Sequence, residues 1–358
     1  MKIKNTVKAG IALAVIAASG LSASASAETL RLLTWGGYAP EDVIAKFKEQ
    51  TGIDVEVTKS NNEEMISKLV ATKGGGFDLV QPSQDRISGP QLEYNIYKPI
   101  DISKINTDNI IGSMLESTRA NTTIDGEFYG IPHVWGTSGL VVDTKKAPDV
   151  RDYTDLCNAD VAGKVSYRLK RPTLIGFAFS MGLDPFAAYG ETDAYQAIID
   201  KVEAKLIECK AGVKTYWGGG DELMGLMRSG EVVAAMAWDT GGWKLNADNA
   251  DITFVAPTSG ALGWIDTFAI PRKTKAEDAA YKWINFVMQP EIAAMITAAA
   301  GNFTASKGAD KFASADLKAR FQGSFPPADI DNIKWYPTVP AGLEAIEGAA
   351  LDRVKAAK

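Results

Sequence analysis

LRLLTWGGYAPEDVIAKFKEQTGIDVEV, residues 30–57, decides the fold class. Its apolar run Leu30–Leu33 reads as a buried strand, and Trp35-Gly36-Gly37-Tyr38 follows at the carboxyl end. Pro40 then opens a helix where a missing N–H costs nothing, with Glu41 and Asp42 in the first turn. Val43, Ile44 and Phe47 give that helix its buried stripe, and Gly52 stops it. Ile53, Val55 and Val57 alternate as a second strand. A helix over about Glu63–Thr72, a glycine trio and the strand Phe77–Val80 continue the alternation. Strand, helix, strand, helix, strand is the pattern of a parallel α/β sheet. Ligands on such sheets bind outside the carboxyl ends of the strands. The loops Trp35–Tyr38 and Pro82-Ser83-Gln84-Asp85 sit there. Trp35 and Tyr38 wall a ligand in this reading; the alternative is a hydrophobic plug at the sheet edge.

Upstream of this stretch, Lys2, Lys4 and Lys8 precede the short apolar run Ala9–Leu21, and Ala25-Ser26-Ala27 stands before Glu28. That is the layout of a secretory signal cleaved after Ala27, and it is short for a membrane span. Loss of three lysines takes the formal charge from −6 to −9. An acidic chain without a basic stripe argues against nucleic acid as partner. Cys157 and Cys209 are the two cysteines. In an oxidising compartment a disulfide between them is the default, and two buried thiols are the alternative.

Downstream, Asp125-Gly126 signals a turn. Tyr129–Pro132, Trp135 and the run Thr137–Asp143 then read as a first crossing into a second lobe. His133, the only histidine, has no second histidine or nearby cysteine to work with and is taken as structural. The second lobe repeats the alternation: a strand over Gly163–Tyr167, helices over Thr173–Met181 and about Thr192–Lys210, and a helix over Asp221–Ser229. Val232–Trp238 reads as a strand ending in Trp238-Asp239, and Ile252–Val255 as another. The stretch ALGWIDTFAIPRK, residues 261–273, crosses back. Trp264 and Asp266 lie two apart, so a strand points both to one side, where an indole face and a carboxylate together suit an ammonium group. A core tryptophan beside a satisfied aspartate is the alternative. Helices over Ala276–Met288 and Glu291–Ala300, then Trp335-Tyr336-Pro337 and a helix from about Ala341, close the chain.

With these segments in hand, the sequence resembles the periplasmic spermidine/putrescine-binding proteins, the solute receptors of ABC importers. The opening through LRLLTWGGYAPEDVIAKFKEQTGIDVEV, then FDLVQPS, YGIPHVWGTSGLVVD, GWIDTFAIP and AYKWINFVMQPEIA, agree in kind and order. The resemblance implies an α/β, two-lobed periplasmic binding-protein fold, type II-like, with two hinge-crossing strands. Its first lobe would be 28–135 plus about 271–310, its second 136–267, with C-terminal helices over about 311–358 packing on both. It also implies a periplasmic monomer that needs no cofactor, binds no metal and hands its solute to a membrane permease. Trp35 and Tyr38 match the family's aromatic pair, Trp238 its second-lobe tryptophan, and Trp264 and Asp266 its Trp–x–Asp pair. Asp239 is included as the neighbour of Trp238, and Tyr336 falls loosely where the family places a polar contact.

Two departures bear on the solute. Where the family has an acidic pair for the second amine, this chain reads Tyr167-Arg168-Leu169-Lys170-Arg171. Where an aromatic follows PS-x, it has Asp85. A second ammonium facing Arg168, Lys170 or Arg171 would meet repulsion of roughly 3–4 kcal/mol at an effective dielectric near 20, about two to three decades in affinity. A zwitterion, with its amine at Trp264/Asp266 and an anionic group toward those cations, is the expected solute. The alternative is that the cations face solvent and the solute is a polyamine. An enzyme is not indicated: the chain lacks GxxxxGK[ST], HExxH and GxSxG motifs. A ferric-ion receptor using clustered tyrosines finds no adjacent Tyr-Tyr pair here.

Overall fold

The computed structural model describes residues 28–325 and 332–357, with Met1 and Asp329 besides. The expected signal segment and its cleavage point fall on 2–27, outside the described residues. Among the described residues no helix is long and apolar enough to cross a membrane.

A three-stranded parallel sheet forms in the order Asp54–Lys59, Thr29–Thr34, Leu79–Val80. The helix Glu41–Thr51 packs Val43 and Phe47 inward and ends on Gly52, whose φ of 74° is left-handed backbone that glycine takes without a Cβ clash. Asn61 caps the next helix, Asn62–Ala71, by accepting from the Glu64 N–H. The core here joins Leu30, Leu32 and Phe47 to Trp283 and Phe286 of the helix Glu277–Val287. Residues far apart in sequence therefore close one hydrophobic unit.

The second sheet has eight strands. Its axis is Ile131–Asp143, a 13-residue strand antiparallel to Leu262–Phe268 on one side and Ala234–Trp238 on the other. This pair crosses between the lobes: Ile131, Val134 and Phe268 belong to the first core, while Leu140, Val142 and Leu262 belong to the second. The register shifts between Asp266 and Thr267, and Ile270–Pro271 pairs instead with Tyr97–Lys98. The expected single strand through Ile270 is thus broken by a bulge, which turns the chain back toward the first lobe. The fold is the two-lobed α/β binding-protein fold with hinge-connecting strands.

Cys157 and Cys209 are disulfide-bonded, with Cα atoms 4.9 Å apart. The final helix, Leu343–Ala356, lies against Thr192–Cys209, where the Tyr195 hydroxyl donates to Glu347 at 2.6 Å. Three α-helices escaped the sequence reading: Ser88–Tyr94, Gly112–Thr122 and Asp239–Asp248. The third contains Gly241-Gly242, a loop signal. A Cβ on Gly242 would stand 2.8 Å from Phe254, so that glycine serves close helix–strand packing.

Candidate functional site

Between the two cores lies a cavity of about 470 Å³, which both lobes wall. Asp266 is at one end, 3% exposed. The strand places it opposite Ser83, whose hydroxyl donates to one carboxylate oxygen at 2.6 Å. The Tyr38 hydroxyl donates to the other oxygen at 2.6 Å. Burial pushes Asp266 up to about 7, and Asp85 adds to that, while the Ser83 and Tyr38 hydroxyls pull the other way. Each carboxylate oxygen keeps a further lone pair for a donor from the cavity.

Trp264, two residues earlier, lines the same cavity and packs against both cores. Gly136 on the neighbouring strand gives it room: a Cβ there would lie 2.6 Å from the indole. Trp35 lines this end too, with its Nε1 donating to the Gln81 carbonyl at 2.7 Å. Asn62 holds Ser83 in place by donating to its hydroxyl at 2.9 Å and accepting from its N–H at 3.0 Å. An indole-walled, acidic end is what an ammonium group recognises.

The cavity also carries cations. Arg168, Lys170 and Arg171 all line the cavity. Arg171 opens the helix Arg171–Ser180 and is 7% exposed. Its guanidinium donates to Asp85 at 3.2 Å, lies 3.2 Å from Glu347 and also meets the Tyr189 hydroxyl. Burial opposes its charge, yet Glu347, Tyr189 and Asp85 hold it above the ordinary guanidinium range. The two departures noted in the sequence therefore meet: the Asp85 carboxylate is the partner of Arg171. The expectation that Arg171 would be open to an anionic ligand is corrected, because two carboxylates already neutralise it. Arg168 differs, with its guanidinium carbon 5.1 Å from the Trp217 ring centre and 5.2 Å from that of Trp238. Tyr336 lines the cavity under Arg171, at 5.5 Å from its ring centre.

Asp239 is a second correction. It is 2% exposed and turned into the protein, accepting from the Thr137 N–H at 2.7 Å and hydroxyl at 3.0 Å, and from Asn302 at 3.0 Å. As the first residue of its helix it is drawn to backbone donors. It braces the strand crossing while its neighbours Trp238 and Thr240 face the cavity. His133 is fully buried beside Phe268 and Tyr38, and burial drops its titration to about 3. It stays neutral, as a structural ring would.

Sequence reasoning missed Trp217, Asn62, Asn302 and Glu347 as builders of the site. Trp217 stands just before Gly218-Gly219-Gly220, a break after a strand that signals a ligand-facing loop. Nothing in the local sequence marks Glu347, which reaches Arg171 from a helix 176 positions later.

A family model described as bacterial extracellular solute-binding protein matches residues 42–322. Spermidine/putrescine-binding periplasmic protein 1 of Haemophilus influenzae is 28% identical over 343 residues, covering 94% of this chain and 91% of that protein. The spermidine/putrescine-binding periplasmic protein of Escherichia coli is 28% identical over 338 residues, covering 92% and 93%. A solved structure described as a putative spermidine/putrescine ABC transporter from Listeria monocytogenes aligns with a TM-score of 0.78 at 25% identity, over 92% of this chain and 99% of that one.

Proposed function

This chain belongs to the bacterial extracellular solute-binding proteins, and from that premise we propose that it seats the amine of a small organic solute on Asp266 between Trp264, Trp35 and Tyr38. The protein is a periplasmic receptor of an ABC importer and not an enzyme. The observation that carries the amine assignment is the buried carboxylate of Asp266, lined up by two hydroxyls at 2.6 Å and, among the described residues, without an ion-pair partner. Closure follows from geometry. Trp35 and Ser83 approach from the first lobe, Trp238 and Arg168 from the second, so only the closed form lets a solute touch all of them.

The ligands named for the relatives, spermidine and putrescine, weigh toward a polyamine over a zwitterion. They share the amine end, and it is that end the proposal assigns. Cleavage after Ala27, action as a monomer and delivery to a membrane permease complete the reading. So do lobes of 28–135 with about 271–310 and 136–267, carrying the helices of about 311–358. Calorimetric titration with a panel of amines tests it. Saturable binding that Asp266→Asn weakens more than tenfold is expected, and wild-type affinity in that variant refutes it.

A further inference from the structure

Pairing off the charges that line the cavity leaves some without a partner, and these bear on the other half of the ligand. The cavity's acidic lining residues are Glu63, Asp85 and Asp266, and its basic ones Arg86, Arg168, Lys170 and Arg171. Most of these charges are already engaged. Arg171 bridges Asp85 and Glu347. Arg86 pairs with Glu344 and has Glu63 at 3.7 Å. What remains, among the described residues, is one carboxylate, Asp266, and two cations without an ion pair, Arg168 and Lys170.

Arg168 is the more telling of the two. Its guanidinium carbon lies against two indoles that themselves meet edge to face, yet among the described residues no carboxylate lies within ion-pair distance. Burial works against its charge and the more distant Glu63 partly offsets that. A guanidinium and a lysine that line a cavity without a carboxylate partner suit an anion.

We propose that Arg168 and Lys170 form an anion subsite, so that the ligand is a zwitterion: one ammonium on Asp266 joined by a short chain to a carboxylate, sulfonate or phosphonate. This rests on the amine reading above and departs from the relatives' named ligands only at the far end. A diamine would set its second ammonium against two unpaired cations. Receiving it on Asp85 would cost one of the two ion pairs that hold the buried Arg171.

The test is calorimetric titration at low salt with putrescine, gamma-aminobutyrate, homotaurine and aminopropylphosphonate. It uses the full mature chain and the variants Lys170→Glu and Arg168→Met. Lys170 is exposed, so its variant should keep the fold, and methionine at 168 retains an unbranched apolar stem of similar reach without the charge. At least one zwitterion is expected to bind more than tenfold tighter than putrescine, with each substitution cutting that preference about tenfold or more. Putrescine binding tighter than every zwitterion overturns the inference and leaves the amine reading standing. A zwitterion preference untouched by both substitutions also overturns it, because the anion then lies elsewhere. No binding by any of the four overturns the amine reading, and the inference falls with it.

Discussion

Solute capture should depend on pH through Asp266. In the ligand-free protein burial holds this carboxyl at about 7. Only its ionised form attracts an ammonium, so a proton and the solute compete for one site. The apparent Kd then rises about tenfold for each pH unit below that value, and from about pH 8 to about pH 5 affinity falls roughly a hundredfold, or about 2.7 kcal/mol. Stability without ligand runs the other way. The folded value lies above the ordinary 3.8, so the native state holds the proton more tightly than the unfolded chain does. The stability this provides is complete at low pH and is lost as pH rises toward about 7, by at most about 4 kcal/mol. Asp266→Asn should therefore flatten the binding profile, weaken binding at about pH 8 and raise the ligand-free Tm there. Among the groups nearby, Tyr38 is pushed far above this range by burial and His133 titrates at about 3. Asp239, raised by burial to about 6, is the remaining titrating group, and any slope left in the asparagine variant reports it. Titration calorimetry across that range, beside thermal melts, measures both quantities. Superimposable pH profiles for wild type and Asp266→Asn would refute the reasoning.

Further outcomes follow from the packing. Trp264→Ala should weaken binding more than tenfold by removing one face of the ammonium site, read by titration with a bound amine. Gly136→Ala would force its Cβ to 2.5 Å from Asn302 and 2.6 Å from Trp264, so solute affinity should drop while the secondary structure seen by circular dichroism is kept. Arg171→Ala would leave Glu347 with only the Tyr195 hydroxyl and Asp85 with only Arg86 at 3.8 Å, a loss of up to about 3–5 kcal/mol that a denaturant melt detects. Cys157→Ser opens a disulfide whose partners are 52 residues apart, and the loop-entropy relation gives about 4 kcal/mol, again read by denaturant.

The parts of this molecule that local chemistry determines were legible in its sequence. Leu30–Val57 carries its own period, caps and stop, so strand and helix follow from neighbouring residues alone. Trp264 and Asp266 share a side because a strand repeats every two residues, and both do line the cavity. What escaped depends on distant partners. Arg171 looked open because Asp85 and Glu347 are remote in sequence and only folding brings them within 3.2 Å. Asp239 looked ligand-facing because its pull toward the Thr137 N–H depends on strand pairing. Gly112–Thr122 buries only Thr118 and Thr122, too little apolar stripe to announce a helix.

The Asp85–Arg171 contact has a bearing on unloading. It joins a loop after the first sheet to a helix on the second, so its two charges can meet only when the halves are shut. Parting them costs a buried ion pair, whatever solute is inside, while Arg171 keeps Glu347. Burial shields that clasp from salt, so a docked transporter that draws the halves apart would be working against it as well as against the cargo's own grip.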